Sequence, residues 1–222
     1  MNSEKISEEY WSKIPHENLP HFASKEKTQA EVAFLKKYLP VNSRVLDLGC
    51  GWGRVAAALA YEGYSVRGID LSPHLVELAR KNAPQELKIS YSTGSLLDIP
   101  CRDSSFDCVV CLWGTFNHLL SPDEQLTGLN EIFRVLCLGG VAILEMSNGE
   151  SKANRINRQK LGFGHQNRVF ELRYKPKSPP NTIYIHDRKT LDGLGHASDF
   201  LDYSVGFKTI FGKRRLVAFL KK

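Results

Sequence analysis

Two carboxylates and three glycines stand at spacings that suit a nucleoside-sized ligand. Residues 45–54 read VLDLGCGWGR, and a second apolar run ends in GID at Asp70. Gly49, Gly51 and Gly53 alternate with other residues. Glycine takes positive φ at no steric cost and lets the main chain approach a ligand closely. Asp70 follows Gly53 by 17 residues, about where an acid at the tip of a second strand meets a ribose diol. One ionised carboxylate accepts from both hydroxyls of a diol.

These residues need a frame. Val45, Leu46 and Leu48 form the short apolar run of a strand buried on both faces, and Val55–Tyr61 reads as an Ala-rich helix. Strand, glycine turn and helix make a nucleotide-binding crossover. The third glycine comes one residue too early for GxGxxG, which disfavours a nicotinamide dehydrogenase. With DLGCG followed by GIDLS, the chain resembles the class I S-adenosylmethionine (SAM) methyltransferases. The resemblance covers residues 40–147 strongly and 198–220 weakly.

The resemblance implies roles. Gly49, Cys50 and Gly51 would present backbone to the methionine part of SAM, and Asp47 would arrange the loop and the amino end. Asp70 would hold the ribose, and Leu71 would cover one adenine face. The third motif reads TGSLLDIPCRDSSFDCVV. Where the family has an acid after this glycine, Gly94 is followed by Ser95, whose hydroxyl accepts a weaker hydrogen bond from the adenine amino group. Leu96 would offer its backbone N–H and side chain to the ring. In LWGTFNH, Leu112 and Trp113 would flank the methionine end, and Asn117 and His118 would face the acceptor. A neutral His118 could take the acceptor's proton. Glu145, Ser147 and Asn148 would line the far side. Methyl transfer from a sulfonium chiefly needs an acceptor lone pair held in line in a dry pocket. The implied product is S-adenosylhomocysteine, with no metal required. An NPPY-type motif and a paired-glutamate loop are absent, which sets aside the amino-purine and protein-arginine subclasses.

The remaining pattern predicts an α/β, Rossmann-like, doubly wound, mostly parallel seven-stranded sheet. It adds a C-terminal antiparallel hairpin and an inserted β-hairpin after strand five. The strands expected are Arg44–Leu48, Ser65–Ile69, Leu87–Tyr91, Phe106–Leu112 and Val141–Met146. Helices are expected over 3–12, from a Ser24 cap to Tyr38, over 54–61, after Ser72-Pro73, and from Pro122 to Leu136, ended by Gly139 and Gly140. The inserted hairpin should pair 168–174 with 182–188. Ser198 is expected to cap a helix to Val205, before strands at 207–211 and 214–220 joined by Gly212-Lys213. One domain, 1–222, is expected, with 151–190 the insertion; the resemblance implies that 1–40 is a helical lid, in which Tyr10, Trp11, His16, His21 and Phe22 would cover the cofactor or only pack the helix down.

A composition of 42% hydrophobic and 24% charged residues suits a globular enzyme. No apolar run spans a membrane, and the acidic MNSEKISEEYW lacks the apolar core of a secretory signal, so a cytoplasmic protein is expected. Five cysteines are present, and Cys108 and Cys111 spell CxxC. On a strand they point to opposite faces, so they read as buried residues rather than metal ligands. Charge divides unevenly. Residues 1–150 carry 14 Lys+Arg against 19 Asp+Glu, and 151–222 carry 16 against 5. Arg155 and Arg168 in the basic segment would grip an acidic group on a small acceptor. The same charge leaves nucleic acid open as the acceptor. A SAM-binding protein without turnover is a third possibility, and oligomeric state is not encoded in the pattern.

Overall fold

The computed structural model describes residues 2–14, 24–151, 168–172 and 180–222. Two helices come first, α1 (Ser3–Ser12) and α2 (Lys25–Leu35). Asn2 caps α1 and Ser24 caps α2, each accepting a main-chain N–H three residues on. The alternating core follows: β1 (Arg44–Leu48), α3 (Arg54–Tyr61), β2 (Ser65–Asp70), α4 (Pro73–Lys81), β3 (Ile89–Thr93) and β4 (Phe106–Cys111). A single tight turn of helix, Thr115–His118, leads to α5 (Pro122–Val135) and β5 (Leu136–Met146). Then come β6 (Val169–Leu172), β7 (Asn181–Tyr184), α6 (Arg188–Ala197), β8 (Asp202–Ile210) and β9 (Lys213–Lys221).

One sheet has the order β3-β2-β1-β4-β5-β9-β8, and β6-β7 form a separate hairpin. The first five strands run parallel, β9 runs antiparallel to β5, and β8 antiparallel to β9. This is the expected Rossmann-like sheet. The order reverses between β1 and β4, where the β1 and β4 ends part and leave a crevice. Side chains alternate across the sheet. Val45 joins the apolar layer shared with α2, α3 and α4, and Leu46 and Leu48 join the layer shared with α5 and α6. Cys108 and Cys111 likewise fall in opposite layers, as their spacing predicts. Among the described residues no cluster of His, Cys, Asp and Glu could hold a metal.

Several boundaries differ from expectation. β3 starts two residues later, because the β2 register pairs Ile69 with Ser92 and Asp70 with Thr93. β5 runs straight through the two glycines that were to precede it. Gly139 takes φ +78°, and the register jumps from Phe106–Leu136 to Cys108–Val141, so the glycines form a bulge rather than a helix stop. The expected 198–205 helix is absent, and α6 lies upstream. Asp187 and Thr190 form its reciprocal cap, and Ser198 ends it. The last hairpin turns at Phe211 and Gly212, both with positive φ, rather than at Gly212-Lys213. His16, His21, Phe22 and Arg155, and the expected strand beyond 172, lie outside the described residues.

Candidate active site

β1 ends in a loop whose shape is set by its glycines. Gly49, Gly51 and Gly53 take φ of +70°, +55° and +83°. A Cβ on Gly49 would collide with Thr115, so β1 approaches the tight turn after β4 only because that residue is glycine. A Cβ on Gly51 would meet nothing within 4 Å; it faces the cleft. The main-chain N–H groups of Gly49 and Cys50 both donate to the carbonyl of Ile69, which ties the loop to β2.

Asp70 also ties it. One carboxylate oxygen accepts from Gly51 N at 2.8 Å and the other from Ser72 N at 2.9 Å. Burial pushes this carboxyl above its usual range, and the two N–H donors oppose that shift. Both oxygens keep lone pairs for a ligand. Asp47 lies deeper. Burial raises its pKa to about 7, Arg54 pulls it down, and Asp70 pushes it up. Its Oδ2 is buried with no hydrogen-bond partner.

The other end of the cleft is built around Trp113, which takes φ +62°. Its N–H donates to Glu145 at 2.6 Å and its indole Nε1 to Glu31 at 2.8 Å. Lys27 stands 3.4 Å above the ring and Arg54 4.5 Å from it, a double cation–π contact. Arg54 pairs with Glu31, and Arg215 with Glu145. Desolvation lowers the Lys27 pKa to about 8, against the pull of Glu31. The result is a fixed lattice of three cations and two acids around one aromatic ring.

His118 lines the cleft, and its Nδ1 is buried without a partner. Burial drops its pKa to about 4, so it is a neutral imidazole at pH 7. Asn117 does not line the cleft. Its amide donates to the carbonyl of Tyr184 at 2.6 Å and accepts from Ser147 N at 3.3 Å, so it fastens the turn to β5 and β7. Leu71, Leu96, Leu112 and Cys50 are in the walls. Ser95 sits just behind. Its hydroxyl donates to Glu4 and accepts from Leu97 N at 2.7 Å. Arg168 is turned to Asp187 at 2.8 Å and away from any role as an open anion clamp.

α1 roofs the cleft with Ser3, Glu4, Ser7, Glu8 and Trp11. It is fastened by Tyr10 and Ile14 packing on Leu75 and by Ser3 donating to Glu124 at 2.6 Å. The sequence reading placed aromatic residues in this lid and missed Glu4, Trp52, Thr115 and the Lys27–Glu31–Arg215 surround. Arg54 alone left a signal: a cation on the first residue of a helix opposes the helix dipole and calls for a nearby acid.

Residues 45–140 match the methyltransferase-domain family. Over those residues the chain is similar to methyltransferases. The ubiquinone/menaquinone biosynthesis C-methyltransferase of Geotalea daltonii is 37% identical over 118 residues, 50% of this chain and 48% of that protein. The ubiquinone biosynthesis O-methyltransferase of Rickettsia prowazekii is 29% identical over 153 residues, 68% of this chain and 59% of that protein. The chain spans about half the length of the first curated relatives it matches. A SAM-dependent methyltransferase of Methanosarcina mazei superposes with a TM-score of 0.71 at 23% identity, covering 85% of this chain and 96% of that one, a likeness of fold. SAM is the methyl donor of this family, and the cleft offers a buried carboxylate oxygen with no hydrogen-bond partner at Asp47, open space at Gly51 and a carboxylate at the tip of β2, Asp70.

Proposed function

We propose that this protein transfers a methyl group from SAM to a nucleophilic nitrogen, oxygen or carbon of a small acceptor that carries an acidic group. Bound SAM would supply an electrophilic methyl on a good leaving group, and the protein's own work is placement and exclusion of water. Asp70 would take the ribose hydroxyls, Asp47 the ammonium, and Leu71 and Leu96 the adenine faces. The observation that carries this reading is the pairing of the glycine loop with the unpartnered Asp47 oxygen beneath a roof, α1.

At the Trp113 end, His118 is a neutral imidazole that lines the cleft, and its unpartnered Nδ1 would accept a hydrogen bond from a hydroxyl or amine acceptor; with its pKa held near 4 by burial it would position that group rather than take its proton outright. Trp11, Trp52 and Trp113 are flat walls that suit a ring. Two relatives are named for methylation in quinone biosynthesis, one on carbon and one on oxygen, which supports an aromatic acceptor while leaving the atom open. The acidic group would meet Arg54, the one of the three cations around Trp113 that lines the cleft, sharing it with Glu31. The test is release of S-adenosylhomocysteine when the protein and SAM are given hydroxylated aromatic acids. Turnover that His118→Gln slows supports the reading, and stable SAM binding without turnover on any such acid would overturn it. The excess of 16 Lys+Arg over 5 Asp+Glu in residues 151–222 favours RNA as a second reading. A salt-sensitive gel shift with tRNA, and methyl incorporation into it, would favour that acceptor instead.

A further inference from the structure

Adenine differs from other purines at the cleft by what its 6-position offers: an amino group that donates. The wall residue best placed to receive it is not on the Rossmann core. Ser95, next to Leu96, has its hydroxyl proton committed to Glu4 and a lone pair committed to Leu97 N–H. Glu4 belongs to the cleft wall, together with Leu71 and Leu96. Its carboxylate therefore reaches the adenine end from the roof. Resting on the cofactor reading above, we propose that Glu4 of the lid helix is the acceptor for the adenine amino group. Closure of α1 then both covers the cofactor and checks that it is an adenine nucleoside.

The clasp of the lid does not depend on Glu4. Asn2 caps the helix, Ser3 holds Glu124, Leu120 N donates to Ser3, and Tyr10 and Ile14 bury against Leu75. Glu4 adds a charge-assisted acceptor beside Leu71 and Leu96. An oxo group at that position would set its lone pairs against the carboxylate and be rejected, because an unpaired polar contact away from water costs more than a made one gains. Glu8, one helical turn on, also borders the cleft and is the natural control.

The experiment is calorimetry with S-adenosylhomocysteine and S-inosylhomocysteine, which differ in amino against oxo at the 6-position and in the proton that the oxo base carries on N1. The intact protein should prefer the adenine compound by about tenfold or more, the worth of one charge-assisted hydrogen bond. Glu4→Gln should collapse that ratio to within about threefold, because an amide presents either a carbonyl or an NH₂. Glu8→Gln should leave the ratio as it was. Tyr10→Ala, which loosens the lid, should weaken both ligands equally and preserve the ratio. A Glu4→Gln variant that keeps the full adenine preference, or that loses affinity for both compounds alike, overturns the proposal while leaving the cofactor assignment standing. An intact protein that binds neither compound overturns the cofactor assignment itself.

Discussion

The two ends of the cleft are made by different means. At the glycine loop the walls are main chain. Three glycines at positive φ, two N–H groups on the Ile69 carbonyl and two on Asp70 leave the loop one shape. At the Trp113 end the wall is a side chain, held in place by others from four stretches of sequence: Lys27 and Glu31, Arg54, Glu145 and Arg215. A main-chain wall is fixed by local sequence and, on the proposed reading, would recognise what every SAM molecule shares. A side-chain wall can be exchanged residue by residue, so it is where acceptor specificity belongs. The comparison predicts that damage at the first end abolishes cofactor binding, and damage at the second changes the acceptor.

Gly49→Ala should do most harm. Its methyl would strike Thr115 at a φ that disfavours a side chain, a cost of about 3 kcal/mol in urea unfolding, with loss of measurable S-adenosylhomocysteine binding. Asp70→Ala comes next. It removes the diol acceptor and strands two N–H groups, so affinity should fall more than about tenfold, ~1.4 kcal/mol. If either variant bound normally, the main-chain end would not be the cofactor end.

Asp47→Asn sharpens the comparison through pH. The folded carboxyl titrates near pH 7, well above its ordinary value, so between those two pH values the folded protein holds a proton that the unfolded chain has released. Stability should therefore fall as pH rises through this window. Affinity for the ammonium of S-adenosylhomocysteine should rise over the same window as the carboxylate ionises. The Asn variant should show both trends flattened. His118 works the other way: with its pKa lowered to about 4, it contributes stability above its ordinary value that is lost as pH falls toward 4.

Glu145→Gln weakens the hold on Arg215 and on the Trp113 N–H without touching the loop. The acceptor KM should change severalfold while S-adenosylhomocysteine affinity stays within about threefold. Ser95→Asp should have the smallest effect. In the family an acid here would strengthen adenine binding, but in this chain it would face Glu4. The two like charges should cost a few-fold in affinity at low salt and less at high salt.

What the sequence revealed follows the same division. The β1 loop, Asp70, the Ser24 and Ser72 caps and the opposed cysteines were readable because each depends on near neighbours. Glu4 meeting Ser95, 91 residues away, and Arg215 meeting Glu145, 70 residues away, depend on how α1 and β9 are carried across the sheet. No local spacing announces them. α6 was missed for a nearer reason. Its Asp187–Thr190 cap sits directly after the alternating TIYIH, and the alternation overran the helix start. Asn117 was taken for a catalytic group because it stands beside His118, whereas its amide is spent holding β7 and β5 to the turn.

The central claim is that the glycine loop, Asp47 and Asp70 form a SAM site and not a dinucleotide site. Calorimetry of the intact protein with S-adenosylhomocysteine and, separately, with NAD tests it most directly. The account predicts saturable binding of S-adenosylhomocysteine, lost in Asp70→Ala, and no binding of NAD. Binding of NAD with none of S-adenosylhomocysteine would contradict it.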